Sequence, residues 1–411
     1  MAEIVDFIAR YCTLAPPLQT RPVVNRDTFK MNRMYDIQSS KSLPTIVENG
    51  ATTTVAKLSQ ERVLPIIYLN QELYENLGRE KDKLAPLLNQ GDLTRLRNIA
   101  NPFEVIGSGQ YGNRAASKLA SINTIYDLFP RDRDILVTDI AGGPGSWSQY
   151  VLTNYPRAKI IGISLQRVNS YTNWNREKYG LSDDKFEAFY GKISYSKGGK
   201  GDLLEYWEEF SDYVRNKGAV DTVMADGGIG EEEGVNENLQ EQYNIPLIFA
   251  EIVTGLRIVR KRTSVEGGNM VIKLYDLHTS LMGDIILIVN LCFSRCVITK
   301  PITSRPANSE KYLVCLGCNS ENDTNPIIEF LSNKLRLILS GTVPHYFFNH
   351  GDQLFYQYLV GLNTTFGNEQ LQALKSIISA KDDPQVQPVK YDLSLYCKII
   401  GLRDSDTEIF L

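Results

Sequence analysis

"ILVTDIAGGPGSWSQYV", residues 135–151, decides the fold. An apolar run ending in Asp139 and Ile140 reads as a strand, and a run with helical spacing starts at Ser146 and Trp147. Between them stand Gly142, Gly143, Pro144 and Gly145. Glycines at a strand-to-helix turn let the backbone approach a ligand closely, on the edge where open parallel sheets bind ligands. A dinucleotide site would want G-x-G-x-x-G and an acid at the end of the second strand. Here the turn is AGGPGSW and the second strand ends GISLQ, with no acid. The residues alone leave two readings open: a ligand turn, or an ordinary Gly/Pro connection in an α/β domain.

Outward from this stretch the alternation continues. A helix is predicted over 113–129, and further strands over 158–164, 186–190, 221–225, 269–275, 295–299 and 311–317, with helical stretches such as 239–261 between them. This pattern implies an α/β fold with a mainly parallel seven-stranded sheet covered by helices on both faces. The last two strands lie too close together for a helical crossover, so the final one should run antiparallel. A second glycine cluster, 190–204, follows the third strand and carries Asp202. It would enclose an adenosine-like ligand with Asp202 accepting from an amino group, or be a lysine-glycine hairpin with a solvated acid.

The flanks differ in texture. Residues 1–95 read as an arm: a short amphipathic start, a Pro-rich and polar stretch over 15–44 that looks extended or loop-like, then helical spacing from 71. Residues 96–318 form the core, and 319–411 a mostly helical extension in which 325–341 and 368–381 have helical pattern. No internal repeat is visible. Of the 411 residues 43% are hydrophobic and 22% charged, the balance of a soluble globular protein. A net charge of −4 argues against a generic polyanion binder, so any nucleic-acid contact must come from a local patch.

Cys12, Cys292, Cys296, Cys315, Cys318 and Cys397 sit mostly in apolar runs, as reduced thiols of an intracellular protein do. Cys315 and Cys318 form a CxxC inside a strand pattern with no second Cys/His pair at zinc spacing, and His345 and His350 read as packing and turn residues; no metal is expected. The apolar run 285–293 is too short for a bilayer and fits a buried helix. The acidic start without a positively charged n-region gives no secretory signal.

Four polar residues interrupt these apolar elements: Lys118 in the 113–129 helix, Asp226 just after a strand, Lys273 within one, and Glu310 opening the last. Buried lysines are rare unless paired or functional. Two lysines and two acids on one edge make either a buried salt-bridge network or a proton-transfer site. In the second reading Lys273 is the base, Lys118 depresses its pKa, and Asp226 and Glu310 orient it. Lowering a lysine by roughly three pKa units costs about 4 kcal/mol.

Six blocks carry a resemblance: NPFEVI (101–106), NRAASKLASI (113–122), DIAGGPGSWSQYV (139–151), GKGDL (199–203), VMADGGIGEEEGVNENLQ (223–240) and KPITSRPANSEKYLVC (300–315). Over about 95–317 the chain resembles the FtsJ-like (RrmJ-like) ribose 2′-O-methyltransferases, and among them the cap-specific mRNA enzymes of animals and large viruses. The resemblance implies a Rossmann-like fold that binds S-adenosylmethionine on Asp139, Gly142, Gly143, Pro144, Gly145, Ser146 and Trp147, with Asp202 on the adenine. It also implies a catalytic Lys118, Asp226, Lys273 and Glu310 tetrad. The substrate would be the 5′ end of capped mRNA, methylated at the first transcribed nucleotide, with other capping or transcription proteins as partners and the cytoplasm slightly favoured over the nucleus. Arg114, Ser304, Arg305 and Asn308 would contact the RNA.

Ser146 stands where a family glycine is common and would narrow the turn. Phe103, Tyr111 and Glu104 are candidates for the cap guanine. Arg95 and Arg97 would meet the cap phosphates or form a solvated helix face. The GEEEG segment, 230–234, reads as a solvated acidic loop. Two other functions stand beside this one: the same chemistry on another RNA, and a non-catalytic RNA-binding or scaffold subunit.

Overall fold

Short apolar runs separated by polar turns become the strands of one sheet. The computed structural model describes residues 33–41, 45–47, 50–84, 93–101, 103–104, 107, 109–168, 170–191, 200–229, 236–348 and 352–381, with 383, 385, 386, 397 and 401 singly. The strands are β1 (Arg33–Asp36), β2 (Thr52–Thr54), β3 (Ile135–Ile140), β4 (Ala158–Ile163), β5 (Phe186–Phe189), β6 (Thr222–Ala225), β7 (Asn269–Leu274), β8 (Phe293–Lys300), β9 (Lys311–Cys318) and β10 (Thr342–Pro344). The α-helices are α1 (Gln71–Leu84), α2 (Leu93–Ala100), α3 (Ala115–Tyr126), α4 (Ser146–Asn154), α5 (Arg176–Tyr179), α6 (Leu203–Lys217), α7 (Gln240–Ile258), α8 (Ser280–Leu291), α9 (Glu321–Leu339) and α10 (Gln353–Lys381).

The main sheet has the order β1-β8-β9-β7-β6-β3-β4-β5, and β3 through β7 pair in parallel. The central strands β3 and β6 are buried on both faces along nearly their whole length, the reason they read as continuous apolar runs, while the outer β5 exposes Glu187. The last strand of this sheet in chain order, β9, runs antiparallel, as the short connection from β8 requires, and inserts between β7 and β8. The expected seven strands are joined by an eighth. Residues 33–36, inside the stretch expected to be loop-like, pair antiparallel with β8, Arg33 opposite Lys300. Four residues, RMYD, show no useful alternation; the unpaired edge of β8 recruits them, and Asp36 meets Arg295 across the pair.

The apolar run at 285–293 falls largely in α8, a buried helix capped at its start by Thr279, whose Oγ1 accepts from Met282 N at 3.3 Å. The tail helix α10 begins at Gln353, well before the predicted 368. Gly361 and Gly367 weaken the helical signal there, but Gly367 allows Leu73 of α1 to pack close, and a Cβ at that glycine would lie 3.1 Å from a Leu73 methyl. Arm and tail are not peripheral in packing: Leu58, Tyr68, Phe355 and Leu359 belong to the same buried cluster as Ile272 and Leu313 of the sheet. Asn363 Nδ2 donates to both Tyr68 O (3.0 Å) and Leu277 O (2.7 Å), tying tail, arm and core together.

The amphipathic start, Cys12 and His350 lie outside the described residues. Among those described, Cys292, Cys296, Cys315, Cys318 and Cys397 are free thiols, no cluster of acids, histidines and cysteines is fit to hold a metal, and no helix is long and apolar enough to cross a membrane.

If the tail is an integral wall of the core, Leu359→Ala should lower unfolding stability by about 2–5 kcal/mol, read as a single shifted urea transition. A separate early transition, with the main one unchanged, would mean an independent tail.

Candidate active site

The parallel strands end on one edge, and the four singled-out residues meet there. Asp226 is the first residue past β6, Lys273 the penultimate residue of β7, and Glu310 immediately precedes β9; Lys118 reaches in from α3. Lys118 Nζ lies 2.7 Å from Glu310 Oε1 and donates to Oε2 at 2.9 Å. Lys273 Nζ donates to the Asp226 carbonyl oxygen at 2.6 Å and lies 3.3 Å from its Oδ1. Tyr312, opposite Lys273 in the ladder, donates its phenol to Glu310 Oε1 at 2.9 Å, and Ser304 Oγ donates to the same oxygen at 3.0 Å.

The charges differ from the sequence expectation. Burial disfavours an ammonium at Lys273, but Asp226 foremost, with Tyr275 and Glu310 behind it, outweighs it and holds the pKa well above lysine's usual value, and Glu251 adds to this only when ionised. Lys118 is placed against Glu310 rather than against Lys273. Burial likewise raises Glu310, yet Lys118 and Lys273 hold its carboxyl well below the usual range. For Asp226 burial prevails over Lys273 and Lys118 and pushes the pKa up. That conflicts with a charged Lys273; since a proton on Asp226 would strip the ammonium of its nearest counter-charge, we read the pair as ionised.

A fifth polar residue, missed in the sequence, braces the loop over 300–310. Lys300 Nζ donates to Asn308 O (2.9 Å), Asn308 Oδ1 (2.8 Å) and Glu310 O (2.7 Å), using its three N–H bonds. Burial and Lys311 push its pKa well down. A lysine ending a buried strand just before Pro301 was the available signal, the same one that picked out Lys273.

The other predicted RNA contacts are mostly engaged within the protein. Arg305 donates to both Glu104 oxygens (2.8–3.2 Å), and Arg114 donates to Glu104 Oε1 at 2.5 Å and to Thr303 O at 3.0 Å. Glu104 is therefore an arginine clamp rather than a free acceptor for a guanine. Phe103 and Tyr111 are buried, Tyr111 edge-on to Tyr150 with centroids 5.7 Å apart, so neither presents a face for stacking. Arg95 binds Val386 O (2.9 Å) and Ala380 O (3.1 Å), fastening α2 to the tail instead of meeting a phosphate. Arg97 lines a cavity of about 270 Å³, with Lys81, Tyr275, Arg305, Glu310 and Gln370 among its other walls.

On the cofactor side, Asp139, the penultimate residue of β3, is fully buried against Gly142, where a Cβ would fall 1.9 Å from its Oδ1. Ser148 Oγ donates to Oδ2 at 2.6 Å, while Oδ1 has no partner among the described residues, and burial pushes the carboxyl up to about 7. A Cβ on Gly143 would meet Thr172 O at 1.9 Å. The nearby Trp174 indole N–H is buried without a partner as well. An orphan acceptor, an orphan donor and a side-chain-free turn fit a small polar ligand.

Ser146 does not narrow this turn. Its Oγ accepts from Ala116 N (3.2 Å) and donates to Asn113 O (3.4 Å), and the Trp147 indole donates to Ala115 O (2.9 Å), so both residues fasten α3, and with it Lys118, to the turn. Asp202 caps α6, accepting from Leu204 N at 3.0 Å. Residues 192–199 and the GEEEG segment lie outside the described residues.

Residues 111–318, which contain all four edge residues, match the model of the FtsJ-like methyltransferases. The chain belongs to that family. It is 31% identical over 397 residues to the zebrafish (Danio rerio) protein named cap-specific mRNA (nucleoside-2′-O-)-methyltransferase 1, a match covering 89% of this chain and 46% of the relative. Identity is 32% to the mouse protein of that name (75% and 39% covered) and 30% to the Drosophila melanogaster one (74% and 40%). This FtsJ-like chain thus spans less than half the length of the curated relatives it matches.

Lys118→Met should strand the Glu310 carboxylate and cost about 3 kcal/mol at neutral pH. Glu310's pKa is lowered on folding, so its contribution is complete above the unfolded value of about 4.3 and fades as pH falls through the folded value. The gap in urea midpoint between wild type and variant should therefore narrow on acidification below about pH 4; a pH-independent gap would count against the pair.

Proposed function

We propose that this FtsJ-like methyltransferase transfers a methyl group from S-adenosylmethionine to the ribose 2′-hydroxyl of the first transcribed nucleotide of capped mRNA. The observation that carries the reading is the convergence of Lys118, Asp226, Lys273 and Glu310 on the sheet edge that also holds the glycine turn. The names of the animal relatives support the cap as the substrate feature.

When bound, S-adenosylmethionine supplies a methyl carbon activated by a cationic sulfur, and that charge opposes a second one on Lys273. The residues of the chain then have alignment and one proton to manage. The proton released by the 2′-hydroxyl on methylation would pass to the Lys273 nitrogen. Lys273 must first lose the proton it carries at rest, so the reaction should accelerate with rising pH. Asp226 fixes the Lys273 nitrogen through its carbonyl as well as its carboxylate. Lys118, Tyr312 and Ser304 hold Glu310, and Lys300 holds the loop behind it. Arg305 and Arg114, now clamped on Glu104, are placed to exchange that carboxylate for RNA phosphate. The adjoining cavity would take nucleotide beside the target ribose.

The test is transfer of labelled methyl to a short capped RNA, beside uncapped and 2′-O-methylated controls. Label should appear on capped RNA alone, and Lys273→Ala should lower kcat by at least about 10²-fold. Equal labelling of uncapped RNA would move the assignment to another RNA, and absence of transfer despite cofactor binding would overturn it.

A further inference from the structure

Beneath the site lies a carboxyl that the tetrad does not include. Glu251, on α7, is wholly inaccessible, and neither of its oxygens has a hydrogen-bond partner among the described residues. It presses against the backbone next to Asp226: a Cβ built on Gly227 would fall 2.1 Å from Glu251 Oε1. The titratable groups acting on it are Lys273 of β7 and Asp226 past β6, and it acts in turn on Tyr275. An unpaired carboxylate in such a place is costly, and Asp226 already supplies the negative charge that Lys273 needs.

We propose that Glu251 is a positioning residue for methyl transfer, a neutral acid at rest that seats the Asp226–Gly227 turn and whose ionisation locks Lys273 as an ammonium. The inference rests on the proposed function for its kinetic part. Burial is the main cause that pushes the Glu251 carboxyl up to about 8, with Lys273 opposing and Asp226 adding to it. In the neutral form Glu251 adds no charge to the site. Once ionised it becomes one more anion acting on Lys273, and the base is harder to form.

Glu251→Gln keeps the shape and removes the proton equilibrium. The ratio of its kcat to that of wild type should climb about tenfold between pH 7 and pH 9.5, equivalent to about one pKa unit at Lys273; a purely structural role would leave the ratio flat across that range and overturn the proposal. A second measurement needs no turnover. Glu251's pKa is raised on folding, so wild type should lose melting temperature relative to Glu251→Gln as pH rises from about 4.3 toward 8. In Lys273→Ala that loss should extend to higher pH, because the cation favouring ionised Glu251 is gone. A pH-independent melting difference, or a Lys273→Ala curve that does not move, would overturn the link between the two residues. If wild type transfers no methyl to any RNA, the functional reading falls while the melting curves still decide that link.

Discussion

One strand running against its neighbours makes the site possible. Parallel strands all end on the same edge, so β6 and β7 can deliver Asp226 and Lys273 there only from their carboxyl ends. Because β9 is antiparallel and sits beside β7, its beginning meets their ends, and Glu310 arrives at the same edge with Tyr312 facing Lys273. Had β9 followed β8 by a crossover into a parallel position, Glu310 would stand at the far end of the sheet. Loop bracing by Lys300 and the clamp on Glu104 are consequences of that reversal.

The electrostatics describe a resting state rather than a reacting one. Each lysine of the tetrad is matched to an acid, and Lys273 is more firmly protonated than a free lysine. Such an array keeps buried charge compatible with folding, since an unpaired ion in this setting would cost several kcal/mol. It also makes proton acceptance conditional on a change in local charge, so a site built this way is quiet until its ligands alter the balance.

Much of this was legible in the sequence because each signal had a local cause. The seven predicted strands appear within two residues of their expected ends, since buried strands leave uninterrupted apolar runs. The AGGPGSW turn and the four charges amid apolar surroundings stood out for equally local reasons. What failed was set by distant partners. Lys118 was expected to act on Lys273, but the loop presents Glu310 to it; Ser146 was expected to face the turn, but α3 offers Ala116 N, and the residues leading into it Asn113 O, on the other side. Arg95, Phe103 and Tyr111 carried suitable chemistry, and only tertiary packing assigns them to structural contacts. Residues 33–36 had no pattern of their own and became a strand through the edge they met. Glu251 escaped notice because a single acid within an apolar helix gives no hint of which backbone turn it will press against.

The long-range closure of the sheet bears on how the chain is made. Arg33 pairs with Lys300, and Lys300 holds the backbone of Glu310, while the Ala307 carbonyl in that same loop accepts from Gln370. During vectorial synthesis the arm must wait unpaired until β8 emerges, and the loop that leads to Glu310 lacks its last brace until the tail helix has left the ribosome. The bracing of this edge, on this geometry, is acquired late and nearly all at once rather than growing with the nascent chain.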